Sequence, residues 1–298
     1  MQNKELKFIE IIKNSLTDSS YLGDDCAYLK DFNLCVSTDS LVEGVHFDLS
    51  FISPYALAKK ALKVNISDIL ASGAAPKYAL ICLCGKLDED FTKEFYKSLN
   101  ECALKYGVKI IGGDLTGGDK LTISITIMGD TKNRNISSRK NAKEGYILAL
   151  CGNFGSSARG LKMLLENPNA DNEFTRAHLD PKIHFRVSEL ISQKALEPYA
   201  MMDSSDGLVN ALEWIKKSSN VGFELSYEKI PKLNGATRQE VLFGGEDYSL
   251  VCAVSKEDFK RINSPELIEV GIVNNSGEIL IDGKNIKEEK REEFLHFD

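Results

Sequence analysis

The sequence predicts an α/β protein with mixed (α+β) sheets, divided into two domains. Three observations carry that reading. At 298 residues the chain is long enough for two cores of ordinary size. Apolar runs of strand length alternate with amphipathic helical patterns through both halves. Residues 121–128 alternate Leu and Ile with Thr and Ser, and that period of two predicts an antiparallel strand with one polar face.

The elements follow in order. Residues 34–37 form a short strand. Ser53 as N-cap and Pro54 in the first turn start a helix that runs to about Ser72, where residues 73–76 stop it. Residues 78–84 read as a strand. Residues 89–106 read as a helix with Phe91, Phe95, Leu99, Cys102 and Tyr106 on one stripe, closed by Gly107. A strand at 108–111 precedes the alternating one. The polar stretch 130–145 is the best linker, dividing residues 1–140 from 141–298. The second unit opens on a strand at 146–151 and a glycine-rich turn with a serine cap. Helices follow from about Ser156, over about 183–194 after a break at 178–181, and near Asp206. Strands at 223–226, 248–254 and 268–273 complete it.

Six short motifs place aspartate where an apolar run gives way to a turn or helix start: Gly23-Asp24-Asp25, Ser37-Thr38-Asp39, Asn65-Ile66-Ser67-Asp68, Gly112-Gly113-Asp114, Asp203-Ser204-Ser205-Asp206 and Gly244-Gly245-Glu246-Asp247. Carboxylates gathered there would repel one another unless cations join them. Hard divalent ions, Mg2+ foremost, take oxygen ligands and work with phosphate. Asp68 is the most telling: Leu57, Ala61, Val64 and Asp68 share one helix face, and an acid on a buried stripe is costly unless paired or metal-bound. A structural salt bridge or a frayed last turn accounts for it equally well. Asn65 lies on the same side. Ser37, Thr38 and Asp39 offer hard oxygen ligands, or merely a capped turn. The four glycines of residues 112–119 let backbone amides approach a phosphate beside Asp114. At 203–208 one side chain serves as the helix N-cap and leaves the other acid spare. Residues 243–248 form either a hairpin turn or a pocket edge carrying Glu246 and Tyr248.

A net charge of −7 argues against a nucleic-acid footprint but not against a nucleotide, since bound metal reverses the local sign. The seven cysteines read as buried thiols of a reducing cytoplasm. His46, His178, His184 and His296 show no zinc-ligand spacing. Residues 1–13 lack a signal-peptide core, and the longest apolar stretch is far too short to cross a bilayer. The expected location is cytoplasmic.

In this order the motifs resemble those of the thiamine-monophosphate kinases, relatives of aminoimidazole ribonucleotide synthetase and selenophosphate synthetase. The matching stretches are residues 23–27 (GDDCA), 37–47 (STDSLVEGVHF), 60–76 (KALKVNISDILASGAAP), 112–114 (GGD), 203–208 (DSSDGL) and 243–250 (FGGEDYSL). The second and last are specific to the kinase. One departure is Leu115-Thr116-Gly117-Gly118, where the family usually has Thr-Thr-Arg-Gly. The resemblance implies a two-domain aminoimidazole ribonucleotide synthetase-like fold whose N-terminal sheet pairs across a homodimer, with ATP and several Mg2+ ions at the domain junction. It implies that Asp25, Ser37, Thr38, Asp39, Asp68, Asp114, Asp203 and Asp206 hold metal. Gly113, Asp114, Arg139 and Ser205 would contact ATP, and His46, Glu246 and Phe294 would contact thiamine monophosphate.

The expected reaction is phosphoryl transfer from ATP to thiamine monophosphate. The attacking phosphate, with a second pKa of about 6, is already anionic, so no separate general base is expected. Two alternatives stand beside it. One is another ATP-dependent enzyme of the superfamily, although Cys26 lacks the glycine-rich loop of a selenophosphate synthetase. The other is a non-catalytic Mg-nucleotide module that regulates a partner.

Overall fold

The structure, a computed structural model, describes residues 4–289. After helix α1 (Lys4–Ser15), the first half builds a five-stranded sheet in the order β1-β2-β5-β3-β4. Its strands are β1 (Ala27–Leu29), β2 (Leu34–Val42), β3 (Ala75–Cys84), β4 (Lys109–Thr116) and β5 (Thr122–Asp130). As the alternation predicted, β5 is antiparallel to both neighbours, while β3 and β4 run parallel. Ile123, Ile125 and Ile127 are fully buried on one face, against α2 (Pro54–Ala71) and α3 (Glu89–Tyr106). Thr122, Ser124 and Thr126 occupy the other face, which no helix covers among the described residues.

Ser53 caps α2 through the Ala56 amide, and Gly107 ends α3 in the left-handed region, as the sequence predicts. The strand at β4 corrects the reading of residues 112–119 as a phosphate-cradling turn. Gly112 and Gly113 lie inside the strand, and a Cβ on Gly113 would come within 1.7 Å of the Ile81 carbonyl oxygen. That glycine lets two backbones approach; it does not expose amides to a ligand.

The second half builds a seven-stranded sheet, β12-β11-β8-β10-β6-β9-β7. Its strands are β6 (Ile147–Cys151), β7 (Ala200–Asp203), β8 (Gly222–Leu225), β9 (Leu250–Val254), β10 (Ile268–Asn274), β11 (Ile279–Ile281) and β12 (Lys284–Asn285). Its helices are α4 (Ser156–Glu166), α5 (Glu173–Leu179), α6 (Phe185–Lys194), α7 (Leu208–Ser219), α8 (Arg238–Phe243) and α9 (Lys256–Ile262). Both faces are covered. Leu148, Leu150 and Val251 pack with α7 and α8, while Ile147, Ala149 and Cys252 pack with α6 and α9. Strand β7 escaped the sequence reading because four residues, Ala-Met-Met-Asp, carry no period.

Residues 131–145 do not hang between the halves as a free tether. The Ser137 hydroxyl donates to the Met201 carbonyl and accepts from the Met201 amide, the Ser137 amide donates to Ser72, and Asn135 bonds Ser192 and Ala195. The stretch is polar because its side chains satisfy buried backbone on both sides.

Candidate active site

Helix α2 lies between the two sheets and is buried almost all round. Its polar side chains therefore have to find partners inside. Near its C-terminal end, carboxylate oxygens of Asp25, Asp68 and Asp203 lie within 4.8 Å of one another. Three elements converge to put them there: the loop before β1, α2 itself and the end of β7. Serine hydroxyls fix two of them. Ser37 donates to Asp68 at 2.6 Å, and Ser67 donates to Asp203 at 2.5 Å. Asp39 joins on β2, its amide donating to the Asn65 side chain at 3.1 Å. Arg139 supplies the counter-charge, bonded to Asp25 at 2.8 Å and lying over the Trp214 ring. Its Nε is buried without a hydrogen-bond partner.

Burial and mutual repulsion dominate the electrostatics. Burial pushes the Asp203 carboxyl up to about 7, and the Asp25 and Asp39 charges add to that. Asp68 is also raised well above its usual range, by burial and then by Asp39, Asp203 and Asp25, against the Ser37 hydrogen bond. Asp25 is raised by burial and held back by Arg139. An all-oxygen donor set with this much unrelieved negative charge suits a hard divalent cation. The buried, unpartnered Arg139 Nε suits a phosphate oxygen.

Two expected ligands are not brought to this cluster within one chain. In the sheet register Asp39, Ile125, Ile81 and Gly113 form one row, facing α2, and Ser40, Ser124, Cys82 and Asp114 form the next, facing the open side. Asp114 is therefore on the opposite face from Asp39 and three strands away, roughly 14 Å. Thr38 also faces the open side, its hydroxyl bonded to that of Thr126. Strand alternation separates it from Ser37 and Asp39, which a reading of three consecutive residues as one ligand group overlooks.

Capping chemistry also differs from expectation. The N-cap of α7 is Gly207, which has no side chain to cap it, so neither Asp203 nor Asp206 occupies the cap position. Asp206 sits half-buried in the turn between β7 and α7. Helix α4 has no serine cap. Instead the Asp247 carboxylate accepts from the Gly155 and Ser157 amides at 2.6 and 2.9 Å.

The other end of α2 meets a pocket of about 430 Å³, lined by His46, Phe47, Phe51, Leu161, Phe243 and Glu246 among others. His46 and Glu246 thus face one cavity. The His46 ring accepts from the Val42 amide. Glu246 is held by Lys60 at 3.1 Å. Burial raises the Glu246 carboxyl, but the Lys60 and His178 charges outweigh it and hold it below its usual range. Lys60 is 1% exposed and also lies 3.4 Å from the His46 carbonyl and the His178 ring. The sequence reading missed Lys60, yet the signal was present, since Leu57, Lys60 and Val64 share the buried stripe that singled out Asp68. A backbone bond joins pocket to cluster: the Glu246 amide donates to the Ser205 carbonyl, and a Cβ on Gly245 would sit 2.6 Å from that oxygen. Phe294 lies outside the described residues.

The protein joins two mixed sheets with buried acids at their junction, and residues 23–131 match the family described as AIR synthase related protein, N-terminal domain. The chain is 36% identical to the thiamine-monophosphate kinase of Bacillus subtilis (strain 168) over 257 residues, covering 80% of this chain and 78% of that protein. It is 32% identical to the enzyme of the same name from Aquifex aeolicus (strain VF5), covering 95% of each. A solved structure described as AaThiL complexed with AMPPCP and TMP superposes with a TM-score of 0.87 at 32% identity, covering 97% of both chains. The chain belongs to the thiamine-monophosphate kinase family.

Proposed function

We propose that this chain transfers the γ-phosphoryl group of ATP to thiamine monophosphate, giving ADP and thiamine diphosphate. The observation that carries this reading is the pairing of two unlike sites on one helix. Lys60 and Asp68 are eight residues apart, about 12 Å along the axis. That span suits an acceptor with a heteroaromatic head in the pocket and its phosphate at the acid cluster. Asp25, Ser37, Asp39, Asp68, Asp203 and Asp206 would hold Mg2+. Bound Mg2+ would neutralise phosphate oxygens of both substrates and allow two polyanions to meet. Arg139 and Ser205, beside the cluster, would contact ATP. Glu246 and His46 orient the acceptor, so that alignment supplies the remaining acceleration. Phosphorus NMR with Mg-ATP and thiamine monophosphate tests this. New diphosphate resonances should need both substrates and vanish with EDTA. ATP loss without the acceptor would instead support a sibling reaction.

The places of Thr38 and Asp114 favour a homodimer, and Gly113 lies next to Asp114 on the same strand. The open face of the first sheet carries both Thr38 and Asp114. A second copy laid across this face would bring its Asp114 towards Thr38. Residues 1–140 would then form the dimerising, metal-binding domain and 141–298 the domain that completes the site. Asp39→Asn and Asp114→Asn should each be inactive alone. Mixed after dissociation, they should recover activity, since each mixed pair holds one intact site. No recovery, with mixed pairs demonstrated, would reject the shared site. Among the described residues no helix is long and apolar enough to cross a membrane, and the seven cysteines are free, which favours a reducing cytoplasm.

A further inference from the structure

A second ligand constellation lies outside the phosphoryl-transfer site. Cys151 at the end of β6, His184 at the start of α6 and Glu266 in the turn before β10 each present a ligand atom within 4.8 Å of the others. The Cys151 sulfur is 3.2 Å from His184 Nδ1. Cys151 and His184 are buried, and Glu266 is exposed at the rim. All three line a cavity of about 640 Å³. The same cavity is lined by Ser156, itself 3% exposed, whose hydroxyl is buried without a hydrogen-bond partner. The His184 ring cannot swing away freely: it lies so close to Gly152 that a Cβ there would meet Nε2 at 2.3 Å. Nothing in phosphoryl transfer uses these groups.

We propose that Cys151, His184 and Glu266 form a binding site for a borderline-soft divalent metal of the zinc class, with a fourth position open to water beside Ser156. One thiolate, one imidazole and one carboxylate are a donor set that Zn2+ accepts and Mg2+ does not. The protein would thereby sort two kinds of metal, oxygen-seeking ions at the aspartates and a sulfur- and nitrogen-seeking ion here. Burial holds the His184 imidazole down to about 4, so it is neutral and ready to ligate at physiological pH. Burial pushes the Cys151 thiol up to about 12, so the ion has to displace its proton, as structural thiolate sites do. Lys182, 3.7 Å from Glu266 and largely exposed, is free to turn outwards. Histidine spacing could not reveal this site, because its ligands come from three distant segments.

Co2+ is the probe, added to the full-length protein in excess Mg2+. A thiolate-to-cobalt charge-transfer band is expected in the near ultraviolet, and Zn2+ should abolish it by displacement. The aspartate cluster has only oxygen ligands and cannot give that band. Cys151→Ser and His184→Ala should remove it, while Cys82→Ser/Cys84→Ser should keep it. Should the buried variants fail to fold, Glu266→Gln at the exposed position should keep the band and weaken Zn2+ binding roughly tenfold. Absence of the band, its survival in Cys151→Ser, or unchanged Zn2+ affinity in Glu266→Gln would overturn the assignment.

Discussion

The two ends of α2 handle buried charge in opposite ways. At Lys60 a lysine and a glutamate neutralise each other, and burial is tolerated because the pair is complete. Two turns later Asp68 meets Asp203 and Asp25, with Arg139 opposing three carboxylates, so the charge is incomplete. The first arrangement is a finished binding surface that needs no ion to be stable. The second carries electrostatic load that a bound cation would relieve. On the proposed function, the completed pair would orient the acceptor and the incomplete cluster would recruit metal and phosphate.

The largest effect should come from the incomplete end. Asp203→Asn should lower kcat roughly 10³-fold, equivalent to several kcal/mol of lost transition-state stabilisation. The Michaelis constant for thiamine monophosphate should hardly move. Steady-state kinetics at saturating Mg2+ checks this. A variant that kept full turnover would break the comparison, because the cluster would then be structural.

The complete end should respond differently. Lys60→Met keeps the volume and leaves Glu246 buried without its partner. We expect the Michaelis constant for thiamine monophosphate to rise roughly tenfold, with that for ATP unchanged and kcat nearly so. A fall in kcat alone would place Lys60 in the chemistry rather than in acceptor binding.

Much of this was legible in the chain. The period of two at β5, the caps of α2 and α3, and the apolar stripe carrying Asp68 all translated directly into structure. What failed did so for identifiable reasons. Ser37-Thr38-Asp39 reads as a group in one dimension, but the pleat sends Thr38 to the other face. Gly112-Gly113 reads as a loop because glycine is common there, whereas the need was close strand packing. The cap of α4 comes from Asp247, some ninety residues away, and no local pattern encodes it. Lys60 was overlooked because a lysine on a helix is expected to reach solvent.

The smallest expected effect is thermal and probes the incomplete cluster, with Asp247, pushed up by burial to about 7, adding to the same slope. The Asp203 carboxyl lies at about 7 in the folded protein against a usual value of 3.8, and Asp68 is also raised. Above pH 4 the unfolded chain has released these protons while the folded one retains them, so stability falls as pH rises. The loss continues until the folded groups ionise. Buried His178 and His184, both lowered to about 4, act in the opposite sense, but only below the ordinary histidine value of 6.5. The window above pH 6.5 therefore reports the carboxylates. In EDTA, Tm should drop by a few degrees between pH 6.5 and 8. Asp68→Asn should flatten that slope and raise Tm at pH 8, although it loses activity. Mg2+ should stabilise the wild type more at pH 8 than at pH 6.5. A slope identical in wild type and Asp68→Asn would mean that the repulsion at this end of α2 is relieved without metal, and the contrast with Lys60 would fail.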